Sequence, residues 1–162
     1  MRLSRAVLVF LVISFISQII YYYPNLPEKM ASHFNAFGEP DGWMSKNGFM
    51  IFESLVLSTI IALFTLLPSL IAKMPDSLIN MPNKDYWLAE ARREQTFSII
   101  QNYFEWFSIA LLGLFIGINE FAFRANLKQQ NLSSWTWIIL LLFLFFVVVS
   151  TTKLILRFRV KK

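Results

Sequence analysis

The sequence predicts an all-α membrane protein with four transmembrane helices and an ordered outer loop between helices 1 and 2. Three observations carry this prediction. Hydrophobic residues make up 56% of the 162 positions, and they fall in four long blocks. A hydrocarbon core about 30 Å thick takes roughly 20 mostly apolar helical residues to cross, and each block meets or approaches that length. Lysines and arginines gather beside the ends of the blocks, where they fix orientation and meet lipid headgroups. One membrane domain spanning residues 1–162 is expected, since no internal repeat, Gly/Ser linker or low-complexity tract divides the chain.

The first span is expected over about residues 6–23, after Arg2 and Arg5. Its charge pattern resembles a secretory leader, but Ile19, Ile20, Tyr21, Tyr22 and Tyr23 stand where a signal peptidase needs small residues. The tyrosines read instead as an interfacial aromatic belt, so the block is expected to be an uncleaved anchor. The second span covers about 48–72, with Pro68 near its end as a kink candidate. The third covers about 97–123 and the fourth 135–156.

Cytoplasmic flanks carry the excess of Lys and Arg. With the amino terminus inside, Arg2, Arg5, Lys73, Lys84, Arg92, Arg93, Arg157, Arg159, Lys161 and Lys162 lie inside. Lys29, Lys46, Arg124 and Lys128 lie outside, and Lys153 falls within the fourth span, from which it can snorkel. Ten against four predicts both termini in the cytoplasm, an outer loop at 24–47 and an inner loop at 73–96. The formal charge of +5 is explained by this bias, and no nucleic-acid partner is expected. The chain has no cysteine, which excludes disulfides, thiolate metal sites and cysteine nucleophiles.

Ionisable groups inside a span cost about 2.5–3.5 kcal/mol on insertion scales, so each calls for a reason. Glu53 and Glu120, the latter beside Asn119, are expected at similar depth, roughly 6–8 Å below the outer surface at 1.5 Å per residue. Glu105, with Gln101 and Asn102 nearby, belongs to the inner half. The bland reading is that the two outer glutamates reach headgroups or pair with Lys46, Arg124 or a helix end. The sharper one is that they share an acidic floor for a cation or ligand.

The outer loop, PNLPEKMASHFNAFGEPDGWMSK, exceeds an ordinary helix connection, and loops of that length tend to be functional. Pro27 is suited to open a short helix that carries Met30 and ends near His33 or Phe34. Gly38, Pro40 and Asp41-Gly42 mark turns, while Phe34, Phe37 and Trp43 provide apolar area for an ordered cap. His33, the only histidine, stands with Asn35, Glu39, Asp41 and Lys46 as a candidate ligand- or partner-binding group above Glu53 and Glu120. His33, Glu53 and Glu120 together form a candidate divalent-metal set, because one imidazole and two carboxylates suit such an ion. Against it stands the commoner role of a lone loop histidine as a hydrogen-bonding structural residue.

In this loop Leu26, Pro27, His33, Phe34, Asn35, Gly38, Asp41 and Lys46 stand in fixed order. The stretch from about residue 10 to 60 resembles the domain-of-unknown-function 1648 family (DUF1648), which includes SdpI-type immunity proteins. The second half of the chain lacks the SdpI-type continuation. The resemblance implies a bacterial inner-membrane protein with a functional outer loop. In the inner loop, NKDYWLAEARRE is expected to form an interfacial helix starting near Asn83 and running toward the third span, with Tyr86, Trp87 and Leu88 at the membrane surface. Asp85, Tyr86, Trp87, Arg92 and Arg93 are candidates for docking a cytoplasmic partner.

The leading functional expectation is a small non-enzymatic protein of receptor, immunity or accessory type that recognises a ligand or partner, a peptide or protein among the candidates, through the outer loop, with the inner loop reporting it. The rivals are a metal-assisted hydrolase, with Glu53 or Glu120 as base and His33 as ligand or acid, and a homo-oligomeric cation- or proton-coupled transporter using the two glutamates. No Gly-rich phosphate loop is present.

Overall fold

Each apolar block forms one continuous helix in the computed structural model, which describes residues 3–160. Arg2, Lys161 and Lys162 lie outside the described residues. The chain folds as α1 (Leu3–Tyr22), β1 (Lys29–Phe34), β2 (Pro40–Ser45), α2 (Lys46–Lys73), α3 (Lys84–Trp87), α4 (Glu90–Lys128) and α5 (Trp135–Arg159). Among the described residues, four helices are long and apolar enough to cross a membrane. This is a multi-pass membrane protein. Helix α2 runs without interruption through Pro68. At 39 residues α4 extends beyond the expected third span in both directions, to about 58 Å.

The side-chain pairs set the helix directions. Ser4 meets Glu105 and Gln18 meets Glu120, so α1 and α4 run parallel. Glu53 meets Asn119 while Arg93 reaches the Ala72 carbonyl, so α2 is antiparallel to α4. Tyr103 bonds Thr151, and Gly117 faces Ile139, which makes α5 antiparallel as well. Helix α4 is the axis, packed against α1, α2 and α5.

Three apolar clusters stack along the bundle. Tyr22, Leu26, Met30, Phe49, Met50 and Phe123 close the hairpin end. Phe15, Leu57 and Leu112 fill the middle. Trp87, Ile100 and Phe158 close the far end. Helix α5 meets α4 through aromatic contacts of Phe107 with Phe143 and Phe146 and through the Ile100–Phe158 cluster. Its most apolar stretch has no buried residue and is left to lipid.

The short helix expected after Pro27 is overturned. Residues 29–34 and 40–45 instead pair as an antiparallel hairpin, with Met30 opposite Met44 and Ala31 opposite Trp43. Six residues are too few to offset helix nucleation, whereas the intervening turn is strongly specified. Asn35 Oδ1 accepts the amides of Phe37 and Glu39, and the Gly38 amide donates to the Asn35 carbonyl. Gly38 has φ +79, and a Cβ there would stand 2.9 Å from the Leu132 carbonyl oxygen. The Gly38 carbonyl in turn accepts the Leu132 amide at 2.7 Å, joining the turn to the α4–α5 connection.

The free edge of β1 meets α4. Asn126 Oδ1 accepts the Ala31 amide at 2.7 Å and its Nδ2 donates to the Ala31 carbonyl at 3.0 Å, as a paired strand would. Met30, fully buried, then plugs the bundle end.

The interfacial helix expected from Asn83 into the third span is also corrected. The helix stops after Trp87 and a new one starts at Glu90. Trp87 is packed into the bundle, 4% exposed. The last carbonyls of α5 have no partner within their own helix. The Trp87 indole donates to the Phe158 carbonyl at 2.9 Å, and Asn83 Nδ2 reaches those of Phe158 and Arg159. Drawing the indole inward breaks the helix.

Replacing Asn126 with Ala removes both bonds to Ala31. Hydrogen exchange of the Ala31 amide should rise at least tenfold, with a stability loss of about 1–3 kcal/mol, because buried polar backbone is left unpaired. Unchanged protection at Ala31 would show that strand pairing alone orders the hairpin.

Candidate functional site

The expected site residues separate into three neighbourhoods. On the exposed face of the hairpin, His33 Nδ1 pairs with Asp41, with side chains 72% and 45% exposed. Glu39 Oε2 accepts from Asn35 Nδ2 at 2.9 Å, so this pair belongs to the turn. Lys46 lies at the hairpin base, its side chain 11% exposed. Its Nζ donates to the Leu26 carbonyl at 3.2 Å, pairs with Glu28 at 2.9 Å and sits over the Tyr23 ring.

Below the hairpin, Glu53 is 7% exposed and accepts from Asn119 Nδ2 at 2.8 Å, across the α2–α4 interface. Glu120 faces α1 instead. Its carboxylate accepts from the Tyr22 hydroxyl at 2.6 Å, from Gln18 Nε2 at 2.8 Å and from Arg124 Nε at 2.6 Å. Adjacent positions on a helix point about 100° apart, which is why Asn119 and Glu120 serve different neighbours.

The candidate metal set of His33, Glu53 and Glu120 is therefore not assembled. His33 is held on the exposed face by Asp41, and each glutamate is taken by donors from a different interface. Among the described residues, no group of three or more His, Asp or Glu side chains is arranged to hold a metal ion. Glu120 acts as an anionic anchor for α1, and Glu53 as an acceptor that ties α2 to α4.

At the far end, Arg93 pairs with Asp76 at 2.6 Å, and the Arg92 guanidinium lies 3.9 Å from the centre of the Tyr86 ring. With Trp87 buried, much of the expected docking cluster is folded onto the bundle, and Asp85 remains exposed.

Sequence reasoning missed Asn126, Gln18 and Tyr22 as organisers. A signal was present: Asn119 and Asn126 are seven residues apart, hence on one helix face, and Gln18 interrupts an otherwise apolar run. The hairpin and the end of α4 also enclose a partly open cavity of about 300 Å³, lined by Phe34, Trp43, Lys29, Asn126, Gln129 and Gln130.

A family model described as Domain of unknown function (DUF1648) matches residues 9–57. An "Uncharacterized protein" of Archaeoglobus fulgidus is 30% identical over 139 residues, covering 79% of this chain and 75% of the relative. The chain belongs to the DUF1648 family. No solved structure matches the chain. The DUF1648 match takes in most of α1, the whole hairpin and α2 as far as Leu57, so it includes Gln18, Tyr22 and Glu53. Their α4 partners Asn119, Glu120 and Asn126 fall beyond the matched residues, and the relative's alignment is long enough to extend past them.

The two carboxylates should be energetically separate. In thermal unfolding in detergent, Tyr22→Phe and Glu120→Ala should be non-additive by about 0.5–3 kcal/mol, as residues sharing a network are. Tyr22→Phe and Glu53→Ala should add to within about 0.5 kcal/mol. Equal coupling of Tyr22 to both glutamates would place them in one site. His33→Ala should change stability by less than about 0.5 kcal/mol, as substitutions at exposed positions do. A larger loss, reproduced by a chelator on the unmodified protein, would restore the metal reading.

Proposed function

We propose that this chain is a receptor-, immunity- or accessory-type protein of the cytoplasmic membrane. In this reading both termini face the cytoplasm and the hairpin faces outward, where it recognises a peptide or protein. The observation that carries this is the fixing of the hairpin. It is clamped by Asn126, tied to Leu132 and pinned at its base by Lys46, yet it leaves Phe37 84% and Trp43 52% exposed. A loop that served only as a connector would not need three attachments. Rigid aromatic groups beside a cavity of about 300 Å³ are the usual components of a recognition surface, since little ordering entropy is lost on binding.

The orientation rests on charge. Arg5, Lys73, Lys84, Arg92, Arg93, Arg157 and Arg159 belong to the end away from the hairpin, against Lys29, Lys46, Arg124 and Lys128 at the hairpin end. This supports the hairpin outside under the positive-inside rule. The transporter reading needs Glu53 and Glu120 in one site, and the hydrolase reading needs His33 beside one of them. His33 pairs with Asp41 instead, and the glutamates face different helices. Their separate partners make recognition the better supported function.

The cysteine-free chain permits a direct test. Phe37→Cys in intact cells should react with a membrane-impermeant maleimide, and Ser77→Cys only after permeabilisation; the reverse pattern would invert the topology. A photo-crosslinking residue at Phe37 or Trp43 should give one discrete adduct that the same residue at lipid-facing Phe145 does not. Identical products from all three positions would remove the recognition role.

A further inference from the structure

At the hairpin end of the bundle, the close of α1 and the last turns of α4 border an open cavity of about 380 Å³. Tyr21, Tyr22, Asn25, Arg124, Leu127 and Lys128 line it. Two of these are cations, and no carboxylate among the described residues belongs to the lining. Arg124 and Lys128 are four residues apart on α4, so they stand on one face of that helix.

The two cations are held differently. Arg124 is braced by one edge: its Nε donates to Glu120 at 2.6 Å and to the Tyr22 hydroxyl at 3.4 Å. Glu120 is itself fixed by Gln18 and Tyr22. The two terminal nitrogens of the guanidinium, with four N–H groups, have no hydrogen-bond partner among the described residues. Lys128 has no ion-pair partner among them either. Glu120 offsets the charge of Arg124, so Lys128 leaves the cavity with one uncompensated positive charge.

The level of the cavity follows from two helix ends. Helix α1 closes at Tyr22 and α2 opens at Lys46, which marks the edge of the hydrocarbon at this end of the bundle. Phe123 packs against Tyr22 and Phe49 at that level. Arg124 follows it directly, and Lys128 stands about 6 Å further along α4. Tyr21, 73% exposed, sets its ring edge against Tyr22 and belongs to the tyrosine belt expected at a membrane interface. The cations therefore lie where the phosphates of lipids lie, with Tyr21 and Leu127 as apolar walls beside them.

We propose that this cavity binds the phosphate of an anionic phospholipid. The free fork of Arg124 takes two phosphate oxygens, the bidentate geometry that suits a guanidinium, and Lys128 meets the net negative charge. Asn25 supplies an amide donor, and Tyr21 and Leu127 hold the glycerol and the first methylenes. A zwitterionic lipid brings its own ammonium, which repels Lys128, so the site prefers a headgroup without one.

The test uses the full chain in detergent and measures binding of individual lipids by native mass spectrometry. Phosphatidylglycerol should bind about fivefold more tightly than phosphatidylcholine of the same chain length, the weight of one basic residue at an anionic surface. Lys128 is exposed and unpaired, so Lys128→Gln should leave the fold intact and remove that preference, whereas Lys128→Arg should keep it within about twofold. Arg124→Lys retains a charge for Glu120 but gives up the fork, and should weaken both lipids at least threefold. Lys73→Gln takes the same charge from the far end of α2 and should change binding by less than about twofold. Inorganic phosphate at equal concentration should not compete, since it lacks the apolar part of the ligand. Equal binding of the two lipids, an unchanged preference in Lys128→Gln, a loss in Lys73→Gln as large as in Lys128→Gln, or full competition by inorganic phosphate would each overturn the proposal.

Discussion

Between transmembrane helices, apolar contact gives little net drive, because lipid chains are as apolar as the side chains they replace. What fixes a bundle is close packing and the pairing of polar groups that hydrocarbon will not satisfy. Here those pairs converge on α4. Glu105 and Glu120 hold α1, Asn119 holds α2, Tyr103 holds α5 and Asn126 holds the hairpin. Each is worth only about 0.6 kcal/mol by bundle averages, but they set angular position and register. Apolar clusters alone tolerate sliding; a carboxylate 2.6 Å from a tyrosine hydroxyl does not.

The same rule explains the ends. Helix α5 has no residue of its apolar stretch buried, so its attachment depends on a few rings and on its termini. At its carboxyl end, Asn83 and the Trp87 indole satisfy carbonyls that would otherwise lack partners near the membrane. The Thr96 hydroxyl donates to the Trp87 carbonyl at 2.7 Å and locks this corner to α4. The break between α3 and α4 thus exists to bring one indole to another helix's end.

The four spans were legible because apolar block length is a nearly unambiguous signal. The two bends that matter were not. Pro27 and Glu28 read locally as a helix start, while the strand partners Met30 and Met44 are set by the turn at Asn35–Glu39 and by Asn126, which lies 95 residues from Ala31. Trp87 looked interfacial because a tryptophan beside charged residues usually is; its bond to Phe158 spans 71 residues. Depth placed Glu53 and Glu120 together, but rotation about α4 set their partners, and block lengths carry no rotational information. Asn126 lies outside every block, and block lengths alone do not single it out.

The length of chain between the two sides of the hairpin clamp also bears on how the protein is made. Ala31 is synthesised 95 residues before the Asn126 that covers its strand edge. At 5–20 residues per second this is about 5–20 s of translation. During that interval the first two spans enter the membrane with β1 unclamped and Met30 without the Phe123 side of its socket. Insertion of the third span therefore completes two things at once, the core of the bundle and the covering of an exposed strand. Until then the edge of β1 that Asn126 later covers has unpaired backbone groups.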